Sequence, residues 1–214
     1  MSGPRAIVFD VDGTLYDAGP LRWRMAIRLV RGYAGHPWRL WRAARVLSAW
    51  RRALEELRRS EAAWRIPGDQ YRRAAELCGV GEDQVRALVG QWFEEAPLEL
   101  LGGAARPGLR ELLTAAQAKG ISLAVLSDYP AQAKLEALGL AEFFSAVTSA
   151  GDADVQAYKP DPRGLLATLA RLGVAPERAI YVGDRAEVDG ECARRAGVRF
   201  VEAPADFGRL SGLL

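Results

Sequence analysis

Across residues 102–201 short apolar runs alternate with stretches of helical periodicity, and that alternation leaves few architectures open to the chain. Residues 107–119 repeat their apolar side chains at three- and four-residue steps, the spacing of a helix with one buried face. Ile121-Ser122-Leu123-Ala124-Val125-Leu126 reads as a strand, residues 130–138 as a second helix closed by Gly139, and Ala146-Val147-Thr148 as a short strand. A helix over 161–172 ends at Gly173, and Ala179-Ile180-Tyr181-Val182 is a strand running into Gly183-Asp184. The next helix ends at Gly197 before a final strand over 198–201. Strands separated by helices are joined by right-handed crossovers, which gives a parallel sheet covered on both faces. Ala6-Ile7-Val8-Phe9 is a buried strand of the same kind and belongs with this half. The predicted fold is therefore α/β, with a doubly wound, mostly parallel, Rossmann-like sheet.

Between that first strand and the alternating half the composition changes. Residues 17–96 read as almost wholly helical, interrupted at Pro67-Gly68 and at Gly79-Val80-Gly81, so at least three helices are expected there. From Arg22 to Arg59 there are eleven arginines and two acids, Glu55 and Glu56. All six tryptophans (Trp23, Trp38, Trp41, Trp50, Trp64 and Trp92) fall between residues 20 and 95. A shift of this kind marks an inserted module. The expected division is residues 1–16 with 102–214 as the α/β core, and 17–101 as a helical insertion.

Several function classes are disfavoured at once. A chain of 214 residues, half of them hydrophobic, buries a core without disulfides or a structural metal. Cys78 and Cys192 match no CxxC spacing and read as free, buried thiols of a reducing compartment. The first five residues lead straight into a strand, leaving no room for a signal peptide, and no apolar run is long enough to span a bilayer. A cytoplasmic protein is expected. His36 is the only histidine, so neither a histidine triad nor a histidine metal site has support. No P-loop, GxGxxG or zinc spacing is present.

What remains is chemistry at strand ends. Asp10-Val11-Asp12-Gly13-Thr14, Ser127-Asp128 and Gly183-Asp184 each follow a strand, and Lys159-Pro160 lies in a loop just before a helix. Open α/β sheets bind ligands at the carboxyl ends of their strands, so these segments are expected to converge. Asp10, Asp12 and Asp184 supply hard oxygen ligands of the type that suits Mg²⁺. Such an ion would bridge the carboxylates to a phosphate and offset their repulsion. Ser127 offers a hydroxyl and Lys159 a point charge to phosphate oxygens, and Gly13 lets the backbone approach the ligand closely. Phosphoryl transfer needs mainly positioning and charge stabilisation, which this set supplies.

Phe9-Asp10-Val11-Asp12-Gly13-Thr14-Leu15 resembles the first motif of the haloacid dehalogenase-like hydrolases, Leu126-Ser127 the second and Lys159-Pro160 the third. Gly183-Asp184-Arg185-Ala186-Glu187-Val188-Asp189 resembles the fourth. The order and rough spacing match over residues 6–201, apart from the insertion. The resemblance implies a Mg²⁺-dependent phosphatase that cleaves a small phosphate monoester through an aspartyl-phosphate on Asp10. Asp12 would be the general acid and then base, and Ser127 and Lys159 would hold the phosphoryl group. Asp10, the backbone carbonyl of Asp12 and Asp184 would hold the metal, with Asp189 supporting it and Glu187 a lesser candidate. Family members that cleave carbon–halogen bonds lack an acid at the position of Asp12. Residue 128, often asparagine in relatives, is here Asp128; it either faces the phosphate site or caps the helix near Pro130, and the capping role is the expected one.

By position the insertion resembles the family's cap domain, which closes over the site and chooses the substrate. Three readings of its arginine and tryptophan content stand side by side. The residues form a tryptophan-rich core with a solvated arginine face, or arginines recognise an anionic substrate, or Trp38, Trp41 and the arginines from Arg39 to Arg59 rest on a membrane surface or nucleic acid. The first is the expected one, and no nucleic-acid partner is expected. A phosphomutase using the same two aspartates, and a member that has lost turnover, are the competing functions.

Overall fold

The computed structural model describes residues 3–59 and 67–213, so Met1, Ser2 and Trp64 lie outside the described residues. Five strands carry the α/β part: β1 (Ala6–Phe9), β2 (Ser122–Ser127), β3 (Ala146–Ser149), β4 (Ala179–Gly183) and β5 (Arg199–Glu202). They form one sheet in the order β3-β2-β1-β4-β5, and every pairing is parallel. The chain leaves β1 through β2 to β3, then crosses back to β4 on the other side of β1 and on to β5. That reversal makes the sheet doubly wound and puts its topological switch beside the central strand. β1 is short and completely apolar because both its faces and both its edges are covered.

Register decides what the strand ends present. Phe9 pairs with Val125 on one side and with Val182 on the other. One residue further, Asp10 therefore stands level with Leu126 and Gly183. The next step brings Ser127 and Asp184 to the same rim.

Alternation sorts the strand side chains to two layers. Val8, Ala124, Leu126 and Tyr181 share a cluster with Leu165, Leu169, Cys192, Ala193 and Ala196. The last five come from the helices Arg163–Leu172 and Glu191–Ala196. On the other face Phe9 meets Phe144 and Phe207, with ring centroids 6.1 Å apart in each case. Gly173 ends the first of those helices at φ 64°, a left-handed conformation that glycine adopts without penalty. Cys78 and Cys192 are both buried, and burial pushes the Cys192 thiol up to about 12.

In chain order the helices are α1 (Ala18–Gly32), α2 (Pro37–Arg59), α3 (Gly68–Cys78) and α4 (Glu82–Val89), then α5 (Leu109–Ala118), α6 (Gln132–Ala137), α7 (Arg163–Leu172) and α8 (Glu191–Ala196). The chain divides into two compact units, Met1–Ala18 with Leu101–Leu214, and Gly19–Leu100. The second unit is built from the first four helices and a π-helical turn over Gly90–Glu95. Its core lies along one stripe of α2, where Ala43, Val46, Trp50, Ala53 and Leu54 are buried. Trp50 packs against Phe93, 4.6 Å between centroids with the rings tilted by 58°, and the buried Gln70 side chain donates to the Trp50 carbonyl at 2.9 Å. Trp92 is buried too, whereas Trp23, Trp38 and Trp41 are exposed. No described helix is long and apolar enough to cross a membrane.

Candidate active site

Asp10 is the first residue past β1, and its backbone N–H donates to the Val182 carbonyl of β4 at 2.8 Å. The carboxylate is buried. Its Oδ1 lies 2.6 Å from Lys159 Nζ, and its Oδ2 accepts the Thr14 hydroxyl at 3.0 Å. Lys159, far along the chain and just before α7, is also buried; its ammonium reaches Asp189 Oδ1 at 2.7 Å and the Tyr181 hydroxyl at 3.2 Å. Tyr181 donates in turn to Asp189 Oδ1 at 3.0 Å, and Asp189 Oδ2 accepts the Arg185 backbone N–H at 3.1 Å. One lysine thus sits between two buried carboxylates that enter from different strand ends.

Asp184 completes the group. Oxygens of Asp10, Asp184 and Asp189 all lie within 4.8 Å of one another. Gly13 makes this approach possible: its φ is 96°, and a Cβ there would collide with the Asp184 carboxylate. The first and fourth segments named from sequence therefore meet through the absence of a side chain. Arg106 donates to the Gly13 carbonyl at 2.6 Å and fixes the turn.

Three carboxylates facing one ammonium leave an excess of negative charge in a dry place. Burial raises the Asp10 pKa most; Lys159 opposes it, Asp189 and Asp12 add to it, and the result is about 7. Asp184 is raised from its ordinary value, first by burial and then by the neighbouring charge of Asp189. Burial alone would lower Lys159, yet Asp10 and Asp189 hold it well above the usual lysine range. A hard divalent cation is what such a surplus of buried oxygen charge accommodates, so the donor set fits the expected metal.

Asp12 stands apart from that cluster. Its carboxylate, only partly buried, accepts the Lys134 ammonium on both oxygens at 2.7 Å and the Tyr16 hydroxyl on Oδ1. Burial would raise its pKa, but Lys134 and Tyr16 bring it below the ordinary carboxylate value. Of the expected metal residues, Asp10, Asp184 and Asp189 bring their carboxylates together, while Asp12, whose expected contribution is its backbone carbonyl, has its side chain engaged by Lys134 and Tyr16. Glu187 is exposed and paired with Arg185 at 2.8 Å, outside the cluster.

Ser127 ends β2, buried, with its Oγ accepting the Tyr129 backbone N–H at 3.2 Å. The expected capping role of Asp128 is corrected. α6 begins only at Gln132, the position before it is Ala131, and no side chain caps it. Asp128 instead accepts the Lys159 backbone N–H on Oδ1 at 3.0 Å. A buried carboxylate takes the nearest amide, and this one lies in the loop whose lysine enters the site.

Thr14, Tyr16, Lys134 and Tyr181 were not singled out from sequence. The rarity of lysine, three of the 29 Lys and Arg residues, is the one trace in the sequence, and only the structure shows that Lys134 and Lys159 are the two buried ones.

The profile of the haloacid dehalogenase-like hydrolases matches residues 4–197. A phosphoglycolate phosphatase of Escherichia coli K12 is 34% identical over 209 residues, which covers 90% of this chain and 78% of that protein. A phosphoserine phosphatase of Thermus thermophilus is 36% identical over 145 residues, covering 65% of this chain and 56% of that protein. Among solved structures, a Thermotoga maritima protein ascribed to the β-phosphoglucomutases superposes with a TM-score of 0.61 at 26% identity, over 92% of this chain and 83% of that one.

Proposed function

The chain belongs to the haloacid dehalogenase-like hydrolases, and from that premise we propose that it is a Mg²⁺-dependent phosphatase of small phosphate monoesters, with Asp10 as nucleophile. The supporting observation is the buried Asp10 carboxylate at the end of the central strand, 2.6 Å from Lys159 Nζ and grouped with Asp184 and Asp189. Asp10 attacks phosphorus and the ester oxygen–phosphorus bond breaks; Asp12, ionised in the free protein, takes up a proton as the anionic ester binds beside it and gives that proton to the departing oxygen. Asp12 then takes a proton from water, whose oxygen attacks the phosphorus of the aspartyl-phosphate. The bond from phosphorus to Asp10 breaks, releasing phosphate and restoring the carboxylate. Lys159 and the Ser127 hydroxyl bear on the phosphoryl oxygens, and Gly13 keeps the backbone clear beside them.

Asp10, Asp184 and the backbone carbonyl of Asp12 would hold the Mg²⁺, with Asp189 beside them. That ion supplies charge neutralisation for the phosphoryl group when bound. We read residues 17–101 as the family's cap. Relatives named for phosphoglycolate and phosphoserine suggest small phosphorylated acids as the first substrates to try. The acid at position 12 argues against dehalogenation, because halide leaves without a proton. A phosphomutase would use the same pair, and the similarity to a β-phosphoglucomutase-type structure keeps that reading in view.

Hydrolysis of p-nitrophenyl phosphate with and without Mg²⁺, in the native protein and in Asp10→Asn, tests the proposal. Metal-dependent release of phosphate that disappears in the variant supports it. Activity retained by the variant refutes the nucleophile. A shifted sugar phosphate with no free phosphate would assign the mutase instead.

A further inference from the structure

Lys134 is a buried lysine on a six-residue helix whose neighbours Gln132, Ala133 and Glu136 are exposed. Removing an ammonium from water is costly unless a partner receives it. The partner is Asp12, 122 residues earlier, and the contact is symmetric: Nζ lies 2.7 Å from each carboxylate oxygen. The buried Tyr16 hydroxyl donates to one of the same oxygens. Lys134 is only 9% exposed in its side chain, whereas Asp12 is 33% exposed. The carboxylate is therefore held through its oxygens by buried partners while a third of its own side chain stays exposed. A compact ammonium on a flexible stem is centred here on both oxygens. The chain uses arginine for 26 of its 29 basic residues, yet has lysine here.

We propose that Lys134, seconded by Tyr16, is the positioning residue for Asp12, holding that carboxylate in the orientation from which it serves the leaving oxygen. The inference rests on the phosphatase reading, in which Asp12 is the general acid. A fixed acid matters in proportion to how badly the leaving group needs a proton. An aliphatic alkoxide needs one badly, and p-nitrophenolate hardly at all. Loss of Lys134 should therefore separate the two substrate types, which a mere loss of fold stability would not do.

The test compares kcat/KM, which stops at departure of the leaving group, for phosphoglycolate or another alkyl phosphate that the protein turns over and for p-nitrophenyl phosphate. In Lys134→Met the alkyl ester should fall by about thirty-fold or more and the nitrophenyl ester by less than about three-fold, within the range that general acid catalysis contributes. The Mg²⁺ concentration for half activation should not move. Tyr16→Phe should shift the same ratio in the same direction by less, and Lys134→Arg should recover part of it. Equal losses on both esters, or no loss on either, would overturn the assignment. If Lys134→Met does not fold, Tyr16→Phe and Lys134→Arg decide by the same ratio. Asp10→Asn run alongside keeps the two ideas separate: activity surviving there sinks the phosphatase reading itself, while its loss beside an unchanged ester ratio sinks only the role of Lys134.

Discussion

The α/β unit and the helical unit handle charge in opposite ways. In the first, the ion pairs of the site join residues remote in sequence, Lys159 to Asp10 across 149 positions in a buried pair and Lys134 to Asp12 across 122 in a partly buried one. In the second, pairs are mostly exposed and local, such as Arg52 with Glu56 and Arg86 with Glu82 at four residues, or Arg73 with Glu76 at three. Local pairs follow from helical spacing and are each worth a few tenths of a kcal/mol. Buried distant pairs gain little net stability over apolar packing. Their presence in the core is better understood as machinery than as reinforcement.

The contrast can be broken by substitution. Asp10→Asn should lower phosphatase activity by about a thousand-fold or more while the circular dichroism spectrum stays native, since the nucleophile is lost and no new charge is buried. Lys159→Met leaves Asp10 and Asp189 without their shared cation and should cost about 3–5 kcal/mol in urea unfolding. Arg52→Met in the helical unit should move the same midpoint by less than about 0.5 kcal/mol.

Aromatic packing sharpens the comparison within the helical unit. Trp50, 1% exposed, lies in its core, and Trp23 is 70% exposed. Trp50→Ala should destabilise by about 3–5 kcal/mol and Trp23→Ala by no more than about 0.5 kcal/mol, as read by thermal unfolding.

A smaller effect is set by pH. In the metal-free protein the Asp10 pKa is raised to about 7, so the folded state holds a proton that the unfolded chain gives up near 3.8. This group's contribution to stability is complete below the ordinary carboxylate range and is lost as pH climbs to about 7. Mg²⁺ must displace the same proton. Its affinity, measured calorimetrically, should therefore fall about tenfold for each pH unit below that point and level off above it.

How much of this was legible in the sequence depended on locality. Asp10, Ser127 and Asp184 each follow directly on an apolar strand, so strand pattern and parallel topology together predict that they share a rim. The sheet, expected to be mostly parallel, is parallel at every pairing. Asp128 was misread because a helix start was placed near Pro130; the helix begins two residues later, and the carboxylate turns to the Lys159 amide. Lys134 and Tyr181 were missed for a different reason. A lysine on a helix and a tyrosine in a strand are ordinary residues until the fold shows which carboxylates they face. Nor could helical periodicity separate the tryptophans that form a core from those at the surface, since Trp38, Trp41 and Trp50 lie on one helix at different depths.

The central claim is that phosphorus passes through the protein before it reaches water. Hydrolysis of an alkyl phosphorothioate made chiral at phosphorus with oxygen isotopes, carried out in isotopic water, reads this directly. Two successive displacements, the first by Asp10, give net retention of configuration, which is the result expected here. Inversion would mean that water attacks the ester in a single step, and would contradict the account.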